Sequence, residues 1–246
     1  MAKTLADQFS EKVSTRPLDV CSRCFGTGTL LTETGARICE CRRTDHLRVA
    51  RLLERIPPRY KGVSLATLQP NPDLHTKQTE IVEYLRQHPD HSYYFCGAND
   101  TGKSHFLWAL YENAARAGRR VVAGTFYDMV KSAKAAFDSS TSAELRWSQL
   151  RYWQADLDTT AERCLVCIDD IDKARPTEYV AELFFSYVDA IYNFKHQLVV
   201  TSQLDPQERV DGRDSLIEHF ERADPRYAVG IVRRVVNDET AIWRMF

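Results

Sequence analysis

From about Pro70 onward the chain alternates between two rhythms of apolar positions. Short, continuous apolar runs are separated by longer stretches in which apolar residues recur every three or four positions. These are the signatures of buried strands and of amphipathic helices. The pattern predicts a helix over Thr76–Gln87, a strand over Tyr93–Cys96, a helix over Lys103–Ala117 and a strand over Arg119–Ala123. Helices over Phe126–Phe137 and Ser142–Ala155 lead to a strand over Cys164–Ile168. A helix over Thr177–Phe194, a strand over Gln197–Thr201 and mainly helical chain follow, up to a last strand in Thr240–Phe246. Strands joined through helices of this length indicate βαβ units, so an α/β fold with a parallel sheet flanked by helices is expected.

The first third reads differently. Residues 1–20 are polar, and 21–43 carry four cysteines with Gly26, Gly28 and Gly35 between them, a composition suited to turns. A helix is expected from Asp45 to Arg55, and Ile56-Pro57-Pro58-Arg59-Tyr60 breaks it, because proline lacks a donor and disfavours helix in the residue before it. This divides the chain into a small domain at 1–55 and a larger one at 56–246.

Bulk composition excludes some classes. With 33 Lys+Arg against 34 Asp+Glu, global charge predicts no polyanion partner, although a local basic face is still allowed. No run approaches the ~18 apolar residues of a membrane span. The polar start is unlike a secretory signal, and seven cysteines make an odd number, so the expected setting is the cytoplasm without a disulfide framework.

The strongest chemical signal is Gly97-Ala98-Asn99-Asp100-Thr101-Gly102-Lys103-Ser104, a G-x-x-x-x-G-K-[ST] loop with a strand before it and a helix after it. Gly97 and Gly102 let the backbone curl so that successive N–H groups face a phosphate at the positive end of the next helix. Lys103 supplies a point charge for the β- and γ-phosphates, and the Ser104 hydroxyl a ligand for Mg²⁺. Asp100 is unusual here, since a carboxylate in this loop either points to solvent or repels the nucleotide. A second signal is Cys164-Leu165-Val166-Cys167-Ile168-Asp169-Asp170, an apolar strand ending in two acids. Asp169 would hold the Mg²⁺ shell, and Asp170 would orient or deprotonate an attacking water. A third is Leu198-Val199-Val200-Thr201-Ser202-Gln203, a strand whose polar end suits a γ-phosphate sensor.

In this order the three motifs resemble the AAA+ class of P-loop NTPases, and within it the DnaC/DnaI-type replicative helicase loaders and the related IstB-type transposition ATPases. The resemblance covers about 55–246 and includes the Pro57-Pro58 break and the segment Gly230-Ile231-Val232-Arg233-Arg234-Val235. It implies ATP and Mg²⁺ as ligands, Gln203 at the sensor position where the family usually has Asn, and Arg234 as the arginine reaching a neighbouring subunit's γ-phosphate. Arg233 is the alternative. It further implies self-association through the ATP site, a hexameric helicase and single-stranded DNA as partners, and no small helical lid. The transposition ATPases imply instead a helper that recruits a transposase to DNA. The departures at Asp100, Asp170 and Gln203 keep open a third reading, a nucleotide-dependent protein-binding switch that hydrolyses little.

Cys21-x₂-Cys24 and Cys39-x-Cys41 are two close pairs, and four thiolates complete a closed, structural Zn²⁺ shell, with His46 as an alternative fourth ligand. A segment this small has little core, so zinc binding would supply its folding free energy. The helicase loaders that it resembles grip the helicase through such a domain, while Arg23, Arg37, Arg42 and Arg43 offer a competing nucleic-acid role. Cys96, Cys164 and Cys167 lie in apolar runs and read as buried small hydrophobes. Arg116, Arg119, Arg120, Lys131 and Lys134, with Phe126 and Tyr127 between them, could line a surface for single-stranded DNA. Trp147, Tyr152 and Trp153 read as packing.

Overall fold

The computed structural model of this chain describes residues 29–32, 35–38, 45–71, 73–137, 153, 157 and 163–246. Contacts divide the chain into a unit of Met1–Arg51 and a unit of Leu52–Phe246.

In the smaller unit, β1 (Thr29–Thr32) and β2 (Gly35–Ile38) form an antiparallel hairpin, with Thr29 opposite Ile38 and Thr32 opposite Gly35. Helix α1 spans Asp45–Glu54. Cys21, Cys24, Cys39 and Cys41 lie outside the described residues. So does the expected helix over Ser142–Ala155, apart from Trp153, which is buried and edge-on to Tyr187.

In the larger unit, a 3₁₀ turn at Pro58–Tyr60 follows the prolines and buries Tyr60. The remaining elements are α2 (Gln78–Gln87), β3 (Ser92–Gly97), α3 (Lys103–Arg116), β4 (Val121–Thr125), α4 (Phe126–Phe137) and β5 (Leu165–Asp169). They continue with α5 (Glu178–Asn193), β6 (Gln197–Ser202), α6 (Leu216–Glu221), α7 (Pro225–Val235) and β7 (Thr240–Met245). The strand order is β4-β5-β6-β3-β7, and every pairing is parallel. Alternate residues of each central strand enter different cores. Tyr94, Val166, Ile168 and Val200 pack beneath α4, α5, α6 and α7, while Tyr93, Phe95, Leu165 and Val199 pack beneath α2 and α3. Both faces are covered, which is why these strands read as unbroken apolar runs. Cys96, Cys164 and Cys167 are buried and form no disulfide, Cys96 and Cys167 inside the sheet and Cys164 just before β5.

Two expectations shift. Strand β4 begins at Val121 rather than Arg119, because α3 closes through Gly118 at φ +74° and an Arg119 N–H to Ala114 O hydrogen bond of 3.0 Å. Between β6 and α6 the chain is irregular, and Asp205 organises it. This carboxylate accepts N–H bonds from Gln207 and Glu208, both 3.0 Å, and pairs with the Arg244 guanidinium on β7. Helix α6 then starts at a capping box between Ser215 and Glu218.

Burial alone would raise the Asp205 carboxyl, but Arg244 and the two amides outweigh it and hold it below the usual carboxylate value. A depressed folded-state pKa contributes stability above the unfolded value, about 3.9, and loses it as pH falls through the lower folded value. Asp205→Asn is expected to cost about 2 kcal/mol near neutrality, at the low end for a buried pair because Arg244 is 42% exposed. It is also expected to flatten the loss of stability below about pH 4. Urea unfolding across pH measures both, and an unchanged acid limb removes the pair from the account.

Candidate functional site

Strand β3 runs into the loop Gly97–Ser104, and the loop feeds helix α3. Gly97 has φ +142°, and a Cβ there would stand 2.0 Å from Met245 O, so no larger residue fits against β7. Ala98 N–H donates to the same Met245 O at 2.9 Å, which ties the start of the loop to the last strand. Asp100 and Gly102 are also left-handed, at φ +61° and +95°. Aspartate tolerates this region better than most side chains. Asp100 is exposed and borders the cleft, with no partner for its carboxylate among the described residues. Lys103 folds back over the loop and donates to Gly97 O at 3.0 Å and to Ala98 O. Burial pushes its ammonium pKa down, against the opposing pull of Asp170 and Asp172. A desolvated ammonium held by carbonyls is available to an incoming anion.

The ends of β5 and β6 meet this loop. Asp169 Oδ1 accepts the Ser104 hydroxyl at 2.9 Å and the Thr201 hydroxyl at 2.5 Å. Thr201 Oγ1 in turn accepts Asp170 N–H at 2.8 Å, and Thr201 O accepts Ile171 N–H at 3.1 Å. These bonds hold Asp170 at φ +55°, a strained conformation of the sort that collects at functional sites. Burial, then the neighbouring Asp169 and Asp172, push the Asp170 carboxyl pKa up. Asp172 Oδ1 accepts the Ser202 hydroxyl at 3.0 Å and Gln203 N–H at 2.9 Å. So fixed, Gln203 donates its amide to Asn99 Oδ1 at 2.6 Å, side chain to side chain across the loop.

Of these groups, Asn99, Asp100, Lys103, Ser104, Asp169 and Asp170 line one end of a cleft of about 950 Å³. Its other wall comes from the lead-in segment and α3, with Arg55, Pro57, Arg59 and Leu74 facing His105 and Trp108. Tyr60 stacks on Trp108 with ring centroids 6.1 Å apart and meets His105 edge-on at 5.0 Å. Reading the sequence missed this aromatic wall and the role of Thr201. The Pro57-Pro58-Arg59-Tyr60 break is the available signal for the wall, but in the sequence it marks only a boundary and a point of family resemblance. Arg234 lies elsewhere, on α7. Its Nε donates to Asp189 Oδ1 at 2.5 Å, and its guanidinium carbon sits 4.5 Å above the Phe185 ring centroid. The neighbouring Arg233 is exposed, with no partner among the described residues.

No protein-family model and no curated protein matches this sequence. Solved structures do. A crystal structure of DnaI matches with TM-score 0.56 at 14% identity, covering 80% of this chain and 97% of that one. The DnaC helicase loader matches with TM-score 0.55 at 16% identity, covering 77% and 100%. The chain therefore has a DnaC/DnaI-like AAA+ fold. AMPPCP-bound DnaA from Aquifex aeolicus shares it with TM-score 0.52 at 16% identity, covering 78% of this chain and 51% of that one. The chain thus spans about half the length of the DnaA chain. In AAA+ terms the three motifs now stand together at the carboxyl ends of β3, β5 and β6, where ligands of open α/β sheets bind.

The basic surface divides. Arg116 pairs with Glu112, and Arg119 pairs with Asp90 at 2.6 Å and is mostly buried. Phe126 is fully buried against Phe184 and Phe220, so it offers no stacking surface, because α4 turns that side into the core. Tyr127, Lys131 and Lys134 remain exposed at helical spacing on α4. Among the described residues no cluster of His, Cys, Asp or Glu suits a metal ion, and no helix is long and apolar enough to cross a membrane.

Thr201→Val removes the hydroxyl that both donates to Asp169 and accepts from Asp170, leaving the Asp170 N–H unpaired and Asp169 with Ser104 as its remaining hydroxyl donor, at nearly constant volume. A loss of about 1–3 kcal/mol is expected in urea unfolding, with Thr201→Ser close to wild type. Equal stability of all three proteins would mean that the bridge carries no weight.

Proposed function

We propose that this chain is an ATPase that loads a hexameric replicative helicase onto single-stranded DNA, with hydrolysis releasing the partner. The observation that carries the ATPase part is the meeting of Ser104 and Thr201 on Asp169 Oδ1, beside a glycine-bounded loop over which Lys103 folds. What supports the loader part is similarity in shape to DnaI and to the whole of the DnaC helicase loader chain.

In this reading the amides from Asn99 to Lys103 and the Lys103 ammonium bind the β- and γ-phosphates, and the purine enters the cleft bordered by His105 and Trp108. Ser104 and Asp169 hold Mg²⁺, which neutralises phosphate charge when bound. Asp170, poised by its raised pKa, accepts the proton of a water whose oxygen bonds the γ-phosphorus as the ADP oxygen leaves. Gln203 exchanges its Asn99 contact for the γ-phosphate. The remaining work falls to the arginine pair on α7. Arg234, the first choice for the arginine that reaches a neighbour's γ-phosphate, is engaged by Asp189, so the reading takes the alternative, the exposed Arg233.

Lys103→Ala is expected to abolish ATP-dependent assembly in native mass spectrometry. A hexameric helicase in the native complex supports loading, and a transposase overturns it in favour of a transposition helper. The same spectra report zinc. The spacing of the two close pairs in the sequence is what motivates one shared Zn²⁺ for Cys21, Cys24, Cys39 and Cys41. Lys103→Ala should retain that zinc, and zinc-free wild-type protein would remove the metal from the proposal.

The DNA contact is assigned to α4. Tyr127 is 59% exposed and shares a face with Lys131 and Lys134, an arrangement that stacks on a base while neutralising phosphates. Tyr127→Ala should weaken single-stranded DNA binding in fluorescence anisotropy about tenfold, as loss of one base–aromatic stack would. Unchanged affinity would move the DNA surface off α4.

A further inference from the structure

Gln78 opens helix α2 yet is only 3% exposed, and both ends of its amide are engaged. Its Oε1 accepts Asn71 N–H at 2.8 Å, and its Nε2 donates to Thr101 O at 2.8 Å. Thr101 O belongs to the peptide that joins Thr101 to Gly102, inside the phosphate-binding loop. A trans peptide is planar, with its C=O and N–H pointing in opposite directions. A donor that holds Thr101 O on the α2 side therefore turns the Gly102 N–H toward the opposite, cleft side of the loop. Gly102, at φ +95°, needs such a lock, because glycine gives up a peptide orientation more readily than any other residue. A flipped peptide would present a carbonyl oxygen to a phosphate. The approach is close as well, since a Cβ on Gly102 would lie 2.9 Å from Gln78 Nε2.

We infer that Gln78 is a positioning residue for nucleotide binding, locking the Thr101–Gly102 peptide so that its N–H faces the phosphates. The inference rests on the nucleotide-binding reading above. Gln78→Glu tests it with little change of shape. The carboxylate keeps an acceptor for Asn71 but loses the donor to Thr101 O, and protonation of the carboxyl restores an O–H donor. Burial raises the pKa of such a carboxyl, so restoration comes above the ordinary glutamate value of about 4.3.

The measurement is calorimetric titration of the full-length chain with Mg²⁺ and AMPPCP between pH 8 and pH 5.5, as the ratio of variant to wild-type affinity, with thermal unfolding of each protein alone. At pH 8, Gln78→Glu should bind about tenfold more weakly than wild type, equivalent to one hydrogen bond, and the ratio should close as pH falls. Gln78→Met should stay weak throughout. Affinities within twofold of wild type for both variants overturn the inference. So does a loss that merely follows the unfolded fraction, or a Gln78→Glu ratio that ignores pH. Wild-type protein that binds no AMPPCP overturns the nucleotide reading itself, a distinguishable failure.

Discussion

Asp169 Oδ1 takes two hydroxyl donors at once, Ser104 from the head of α3 and Thr201 from the end of β6, and so joins three parallel strands at their carboxyl ends. A carboxylate this buried has to be satisfied, because an unpaired charge of low exposure costs several kcal/mol. That requirement fixes the distance between the Gly97–Ser104 loop and the acidic strand end. It also explains the strain at Asp170. With Thr201 accepting its N–H and offering a carbonyl to Ile171, the left-handed turn is held by its neighbours, and the second carboxylate leaves the sheet toward the cleft.

A second constraint comes from the far edge of the sheet. Met245, nearly the last residue, presents a carbonyl that both accepts Ala98 N–H and excludes any side chain at position 97. The phosphate loop is thus clamped from two sides, by β7 at its start and by Gln78 near its end. Arg244, next along β7, pairs with Asp205 and fastens that clamp to the segment leaving β6. Local order at the nucleotide site therefore draws on chain positions more than a hundred residues apart.

This separation decides what was legible in the sequence. The phosphate loop is a local object, in which glycine, lysine and serine at fixed spacing specify backbone and chemistry together, and it could be read without knowledge of the fold. The apolar strands could be read because both faces of the sheet are buried. Thr201 was visible only as part of a polar strand end, since its importance lies in a partner in another strand. Gln78 and Trp108 carried no signal, and Tyr60 only its place beside two prolines. A glutamine at a helix start and aromatic residues at helical spacing look the same whether they brace a ligand loop or fill a core. Phe126 failed for the complementary reason: the single-residue step from Tyr127 carries it round the helix from solvent into the core.

Arg233 and Arg234 show how burial and pairing separate roles that a motif cannot. Adjacent residues on a helix diverge by about 100°, so one of the two must lie nearer the protein body. Arg234 does, bonded to Asp189 and laid over Phe185, and straightening it would break an ion pair and a cation–π contact together. Arg233 has no such contact to surrender among the described residues. The pair with Asp189 and the contact with Phe185, both on α5, thus fix the rotation of α7 against α5, and that rotation is what leaves Arg233 in solvent.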